Sequence, residues 1–193
     1  MGKNKLIIWI YLSISFNMNG QNKSSETILN QLSREGEIIG FVENYHEKNI
    51  WVNFPIIPPL LSETKLKKSS KYGYRTHPIH HALKFHSGLD LITLETDTVV
   101  ATANGIVQQV GYQNGLGLFI VIRHEYGFMT LYGHLNAVFV QVNQVVDMAQ
   151  SIGLMGNTGI VTGKHLHYSI IKNGFYLNPL LIMYLFQKVP EIH

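Results

Sequence analysis

From Tyr72 onward, short apolar, β-branched runs alternate with glycine-bearing turns. That texture predicts strands, not helices. Strands are expected over residues 98–103, 105–112, 118–124, 128–134, 138–146 and 166–171. Asn104-Gly105 carries the composition of a tight hairpin turn, and Lys172-Asn173-Gly174 and Glu125-Tyr126-Gly127 mark two more reversals. After residue 70 only residues 179–187 read as helix. Upstream, residues 26–37 predict a short helix on an imperfect stripe of Ile28, Leu29, Leu32 and Ile38. Pro55, Pro58 and Pro59 then exclude helix interior or central strand from residues 54–61, which read as an extended connector. The pattern predicts a mainly β domain built on an antiparallel sheet.

The first residues follow another rule. Lys3 and Lys5 precede a mostly apolar run over residues 6–18, too short for a comfortable membrane span but suited to the apolar region of an export signal. The chain is therefore divided into a signal at 1–20 (or an uncleaved anchor), an N-terminal extension and linker at 21–62, the β domain at 63–181 and a tail at 182–193. This places the protein outside the cytoplasm, in the periplasm or cell envelope, with the membrane touched only through the N-terminal signal or anchor.

Composition narrows the function classes. The 193 residues are 46% hydrophobic and 14% charged, which is globular rather than disordered. A net charge of +3 suits an acidic polymer such as a cell wall, but the basic residues are too scattered for nucleic acid. There is no cysteine, so disulfides, thiolate zinc sites and cysteine nucleophiles are excluded. Ten histidines make histidine placement the main clue.

Two motifs stand out: His86-Ser87-Gly88-Leu89-Asp90 and His165-Leu166-His167. On a strand, His86, Gly88 and Asp90 share one face, and so do His165 and His167. On a helix, His165 and His167 would diverge by roughly 200° and could not share a metal. A histidine and an aspartate from one strand with a histidine from another give the three-ligand pattern of a catalytic zinc site that keeps a position for water. Either motif alone is more often coincidence or a surface pair. The competing signatures His-Glu-x-x-His and Gly-x-Ser-x-Gly are absent, and residues 159–164 fall one residue short of a phosphate loop.

Spaced blocks give a specific resemblance. Residues 72–79, 85–91, 99–107, 130–135, 156–159 and 162–168 match, in order, the pattern of the lysostaphin/LytM family of zinc endopeptidases. The resemblance implies a duplicated-hybrid-motif β fold, one Zn2+ per domain held by His86, Asp90 and His167, and catalytic roles for His134 and His165. It also implies a substrate- or oxyanion-holding role for Arg75 and peptidoglycan peptides as partners. An inactive module that binds or activates another wall hydrolase is the alternative; such modules usually lack some ligands. His77 belongs to the Arg-Thr-His-Pro block and is a groove-lining candidate. His80 and His81 read as exposed, and His124 as structural. The sequence departs from the family at Asn143, Asp147 and Ala149, where glycines are usual, and at Val161 and Lys164. Family members often carry an N-terminal segment over the groove, and residues 21–61 are long enough for that.

If residues 1–20 direct export, fractionation of a tagged chain will find it outside the cytoplasm. A stable cytoplasmic pool with no exported form refutes the assignment.

Overall fold

The computed structural model describes residues 25–44, 51–61, 66–76 and 81–186. The expected leader at 1–20, residues 187–193 of the expected tail, and His77 and His80 lie outside the described residues. Among the described residues, no helix is long and apolar enough to cross a membrane.

The chain begins with helices α1 (Ser25–Gln31) and α2 (Glu35–Asn44). Strands β1 (Lys67–Ser70), β2 (Gly73–Thr76), β3 (Leu83–His86), β4 (Leu89–Ile92) and β5 (Thr98–Val100) follow. Next come β6 (Gly105–Gln113), β7 (Gly117–Arg123), β8 (Phe128–Val138), β9 (Val145–Val146) and β10 (Ser151–Met155). The chain then runs through β11 (Leu166–Lys172) and β12 (Phe175–Leu177) to helix α3 (Pro179–Phe186). Ten strands form one antiparallel sheet with the path β1-β4-β11-β8-β7-β6-β9. β10 joins β5 to the far end of β8, β12 pairs with β11, and β2-β3 is a separate hairpin. The mainly β, antiparallel expectation holds.

β11 is the central strand, buried along its whole length between β4 and β8. Its apolar side chains Leu166, Tyr168 and Ile170 join Leu89, Leu91, Ile120, Ile122 and Tyr132 in the core. A strand covered on both faces favours such near-continuous apolar sequence.

Several local expectations change. Asn104-Gly105 does not close a hairpin: β5 pairs with β10, and β6 with β7 and β9. Neither residue has the positive φ that a type I′ turn requires. Gly105 instead answers a close approach, because a Cβ there would lie 2.6 Å from the Arg123 carbonyl and 2.7 Å from His124 Nδ1. By contrast, Asn173 (φ 49°) and Gly174 (φ 84°) do make the predicted β11–β12 turn. The strand expected over 138–146 is divided. β8 ends at Val138, and Asn143 turns the chain at φ 69° before the short β9. The helix expected over 26–37 breaks at Leu32 to Arg34, where Glu37 Oε2 accepts from the backbone N–H of Ser33 and Arg34 and starts α2 afresh.

The proline-rich connector is extended but not exposed. Trp51, Phe54, Ile56 and Leu60 are buried in the main core, Phe54 packs on Phe128 at 4.6 Å between ring centroids, and Leu60 bridges to Val99. α1 and α2 are also integral. Lys172, at the end of β11, is fully buried and donates to the carbonyls of Asn30 and Tyr126, while Asn173 Nδ2 donates to the carbonyls of Asn30 and Leu32. Burial pushes the Lys172 amine down to about 8. Ile182 of α3, at the start of the expected tail, is buried as well.

A buried polar chain ties β7, β8, β11 and the residue-102 turn together. His124 Nδ1 donates to the Asn104 carbonyl (2.8 Å), so its Nε2 accepts from Thr130 Oγ1 (2.7 Å). The Thr130 hydroxyl is linked to Tyr132 Oη (3.0 Å), which is linked to Thr102 Oγ1 (3.0 Å), which accepts from Tyr168 Oη (2.9 Å). Buried polar groups stay affordable only when satisfied in this way. His124 thus has the structural role expected of it. Burial, partly offset by the bond to Asn104, pushes its pKa down to about 4.

The sign of the resulting pH dependence follows from linkage. Above the ordinary histidine value of 6.5, folded and unfolded chains both hold a neutral His124. As pH falls from 6.5 toward 4, the unfolded chain binds a proton that the fold refuses, so stability drops. The full effect is on the order of 3 kcal/mol. Urea denaturation at pH 7 and pH 4.5 should show a smaller acid loss in His124→Gln than in the parent, even though the variant is less stable at pH 7. Equal losses refute the assignment.

Candidate metal centre

The register of β11 fixes the site: His167 lies opposite Asp90 on one side and Gly133 on the other. His86 arrives from the β2–β3 hairpin. The expected continuous strand through His86 and Asp90 is interrupted at Ser87-Gly88, where the chain passes from that hairpin into the main sheet. The two side chains still converge because Gly88 lets β4 press against β11. A Cβ at Gly88 would lie 2.6 Å from the Tyr168 carbonyl and 2.7 Å from the His167 ring.

His86 Nε2, His167 Nδ1 and Asp90 Oδ1 form a triangle with edges of 3.1, 3.0 and 3.1 Å. Their tautomers follow from the partners of the other ring nitrogens. His86 Nδ1 faces the Lys71 carbonyl at 2.8 Å and must donate, which leaves Nε2 as a lone pair. His167 Nε2 lies 3.1 Å from Ser169 Oγ, a hydroxyl able to accept from Nε2–H in the tautomer that turns the Nδ1 lone pair to the triangle. In that tautomer two imidazole lone pairs and a carboxylate oxygen point at one another. Zinc–ligand bonds of about 2.0–2.1 Å in a tetrahedron place ligand atoms roughly 3.3 Å apart, close to these edges. The donor set fits a divalent cation, and these three residues form a group able to hold one. Burial alone would raise the Asp90 carboxyl, but its contacts with His167 and His86 outweigh burial and hold it well below the usual carboxylate range.

His134 and His165 stand beside the triangle. Their rings are 4.6 Å apart, and His165 Nε2 is 3.7 Å from Asp90 Oδ1. His134 Nδ1 lies 2.9 Å from the Thr158 carbonyl, and His165 Nδ1 lies 2.8 Å from that of Gly163, so each neutral ring presents its Nε2 lone pair. His134 has φ 62° and sits where β8 carries one extra residue against β7. A bulge of this kind re-aims a side chain, and left-handed backbone at a non-glycine residue costs about 1–3 kcal/mol. Burial first, then the neighbouring His165, pushes the His134 pKa down to about 4. Arg75 reaches the other oxygen of Asp90, with Nη2 to Oδ2 at 3.6 Å.

All six residues line one groove of about 650 Å³, whose far wall includes Leu116 and Ile160. His81 is exposed and His124 is buried outside the groove. Sequence reasoning did not find the carbonyls of Lys71, Thr158 and Gly163. The Gly156-Asn157-Thr158-Gly159 block was the available signal for one of them: Thr158 Oγ1 also accepts from Leu118 N–H and donates to the Leu135 carbonyl, which anchors that loop. No groove-lining residue comes from residues 25–44 or 51–61, so the described part of the extension does not cover the site.

If the triangle holds the metal, His86→Ala, Asp90→Ala or His167→Ala will lower zinc occupancy, measured by metal analysis. His134→Ala and His165→Ala will leave most of it bound while slowing turnover by a factor on the order of 10² or more. Loss of zinc in His165→Ala as complete as in His86→Ala would break this division of roles.

The chain is 41% identical over 114 residues to the DD-carboxypeptidase/endopeptidase Mpg of Neisseria meningitidis, covering 59% of this chain and 26% of that protein. It is 36% identical over 105 residues to the peptidoglycan DD-endopeptidase ShyC of Vibrio cholerae, covering 54% and 24%. The chain thus spans about a quarter of the length of these curated relatives. The catalytic domain of the antimicrobial peptidase lysostaphin from Staphylococcus simulans superposes with a TM-score of 0.56 at 26% identity, covering 72% of this chain and 99% of that one. Residues 84–179, which carry all three sides of the triangle and both flanking histidines, match peptidase family M23, and with them the chain belongs to that lysostaphin-type metallopeptidase family.

Proposed function

We propose that this protein is a zinc-dependent endopeptidase that hydrolyses peptide cross-links or stem peptides of bacterial peptidoglycan, working in the cell envelope after export. The observation that carries the reading is the triangle of two imidazole nitrogens and a carboxylate oxygen at 3.0–3.1 Å, with the rings of His134 and His165 beside it. His86, Asp90 and His167 would hold the ion, which when bound supplies an acidified water and a polarised scissile carbonyl.

The chain's own groups do the rest. Among the described residues that line the groove there is no glutamate, and the histidines beside the triangle take the role of base. His165 Nε2, with Nδ1 tied to Gly163, accepts the proton of the attacking water and returns it to the departing amine. His134 is held rigidly by the bulge and by Thr158, and its ring lies against that of His165. Its Nε2, left free by the Nδ1 bond to Thr158, orders the attacking water. Asp90 keeps its charge throughout, steadied by Arg75. The reading as an inactive activator module rests on missing ligands, and here the ligand set is complete.

The test is mass spectrometry of cross-linked muropeptides after incubation with the zinc-loaded chain. Monomeric products, abolished by a chelator and restored by zinc, are expected. Intact dimers at full zinc occupancy refute the reading.

A further inference from the structure

The β2–β3 hairpin supplies His86 to the triangle, and the same face carries two cations. Arg75 and Lys84 are direct cross-strand partners in this hairpin, and Gly73 pairs with His86 in the same ladder. Alternation along β3 puts Lys84 on the face of His86. Arg75 and Lys84 both line the groove.

Like charges directly opposite one another on a hairpin are destabilising. Among the described residues Asp90 is the only carboxylate lining the groove, and Arg75 Nη2 meets its Oδ2 at 3.6 Å. Arg75 Nε is buried with no hydrogen-bond partner. Lys84 is exposed and makes no ion pair among the described residues. The groove's third cation, Lys164, is already paired with Asp97. Two cations, one with an orphaned donor, thus stand next to the metal triangle, and the one carboxylate near them among the described residues, Asp90, is also a side of that triangle.

We propose that Arg75 and Lys84 form a carboxylate-binding subsite that selects peptides carrying a free carboxylate beside the scissile bond. The proposal rests on the peptidase reading above and narrows its substrate. Cross-links made through an amino group whose own carbon also bears a carboxyl, as in diaminopimelate, leave that carboxylate one carbon from the scissile nitrogen. A carbonyl directed at the triangle then places this carboxylate toward the hairpin, where a planar guanidinium and an ammonium can both receive it. An oligoglycine bridge has no such group and leaves the two cations facing each other unpaired.

Three substrates separate the possibilities with the zinc-loaded full chain. They are a D-Ala–diaminopimelate cross-linked dimer, the same dimer with the carboxyl beside the scissile nitrogen amidated, and a pentaglycine peptide amidated at its C-terminus. Amidation is expected to lower kcat/KM by on the order of tenfold or more, with pentaglycine poorer still, because a site built for a charged group rejects its neutral analogue. In Lys84→Gln the ratio between free and amidated dimer should shrink, and in Lys84→Glu it should invert. A ratio near one in the parent, or a ratio unchanged in both variants, overturns the subsite. If none of the three is cleaved, the peptidase reading has failed, and binding decides the subsite separately. Fluorescence anisotropy of a dye-labelled stem peptide ending in a carboxylate or a carboxamide is measured on the same zinc-loaded chain. Tighter binding of the carboxylate form, lost in Lys84→Gln, supports it; equal affinities overturn it.

Discussion

Everything at this site depends on one strand being held in register on both edges. β11 pairs His167 with Asp90 of β4 and with Gly133 of β8. A slip of one residue would turn His167 into the opposite face and replace it with Leu166 or Tyr168, both core residues. The apolar alternation that buries Leu166, Tyr168 and Ile170 is therefore the same constraint that presents His167. Packing energy enforces ligand geometry: the cost of a slip is a core turned inside out, far larger than any single metal–ligand contact could resist.

The sequence made much of this legible, and the reasons differ by feature. The His-x-His spacing was readable because strand alternation is local, and the β11–β12 turn because Asn173-Gly174 encodes its own φ angles. Strand partners were not readable. Asn104-Gly105 looked like a hairpin, but its glycine answers the nearness of His124, a contact 19 residues away in the chain that no local rule contains. The bulge at His134 was equally hidden, since nothing in Tyr-Gly-His-Leu announces an extra residue against β7. The proline-rich stretch was correctly extended, but its burial comes from Trp51 and Phe54 meeting a core assembled from residues far downstream.

The molecule divides its strain and its stability between two ends. Near the groove lie the left-handed His134, the glycine-dependent contact at Gly88 and an unpaired arginine nitrogen. At the other end of β11, about five residues and roughly 17 Å from His167, Lys172 and Asn173 hold the carbonyls that close α1. α1, α2 and residues 51–60 add Leu29, Ile38, Phe41 and Trp51 to the core there. A small β domain gains by enlarging its core away from a strained site. The left-handed Ala149, standing where glycine would be relaxed, is a further strain that this added core helps to carry.

The choice of acceptors behind the histidines completes the electrostatic design. His86, His134 and His165 each send Nδ1–H to a backbone carbonyl, from Lys71, Thr158 and Gly163 respectively. A carboxylate in those positions would fix the same tautomer, but it would also add negative charge and raise the basicity of the ring. Carbonyls orient without charging and do not titrate, so ring geometry survives changes of pH that would alter a carboxylate partner. Asp90 then remains the only negative side chain lining the groove among the described residues, set against Arg75 and Lys84. Backbone-held tautomers and an anion-poor, cation-lined groove are thus two results of one arrangement: the loops that carry these carbonyls do the orienting work that acidic side chains could otherwise supply, and the field inside the groove stays positive.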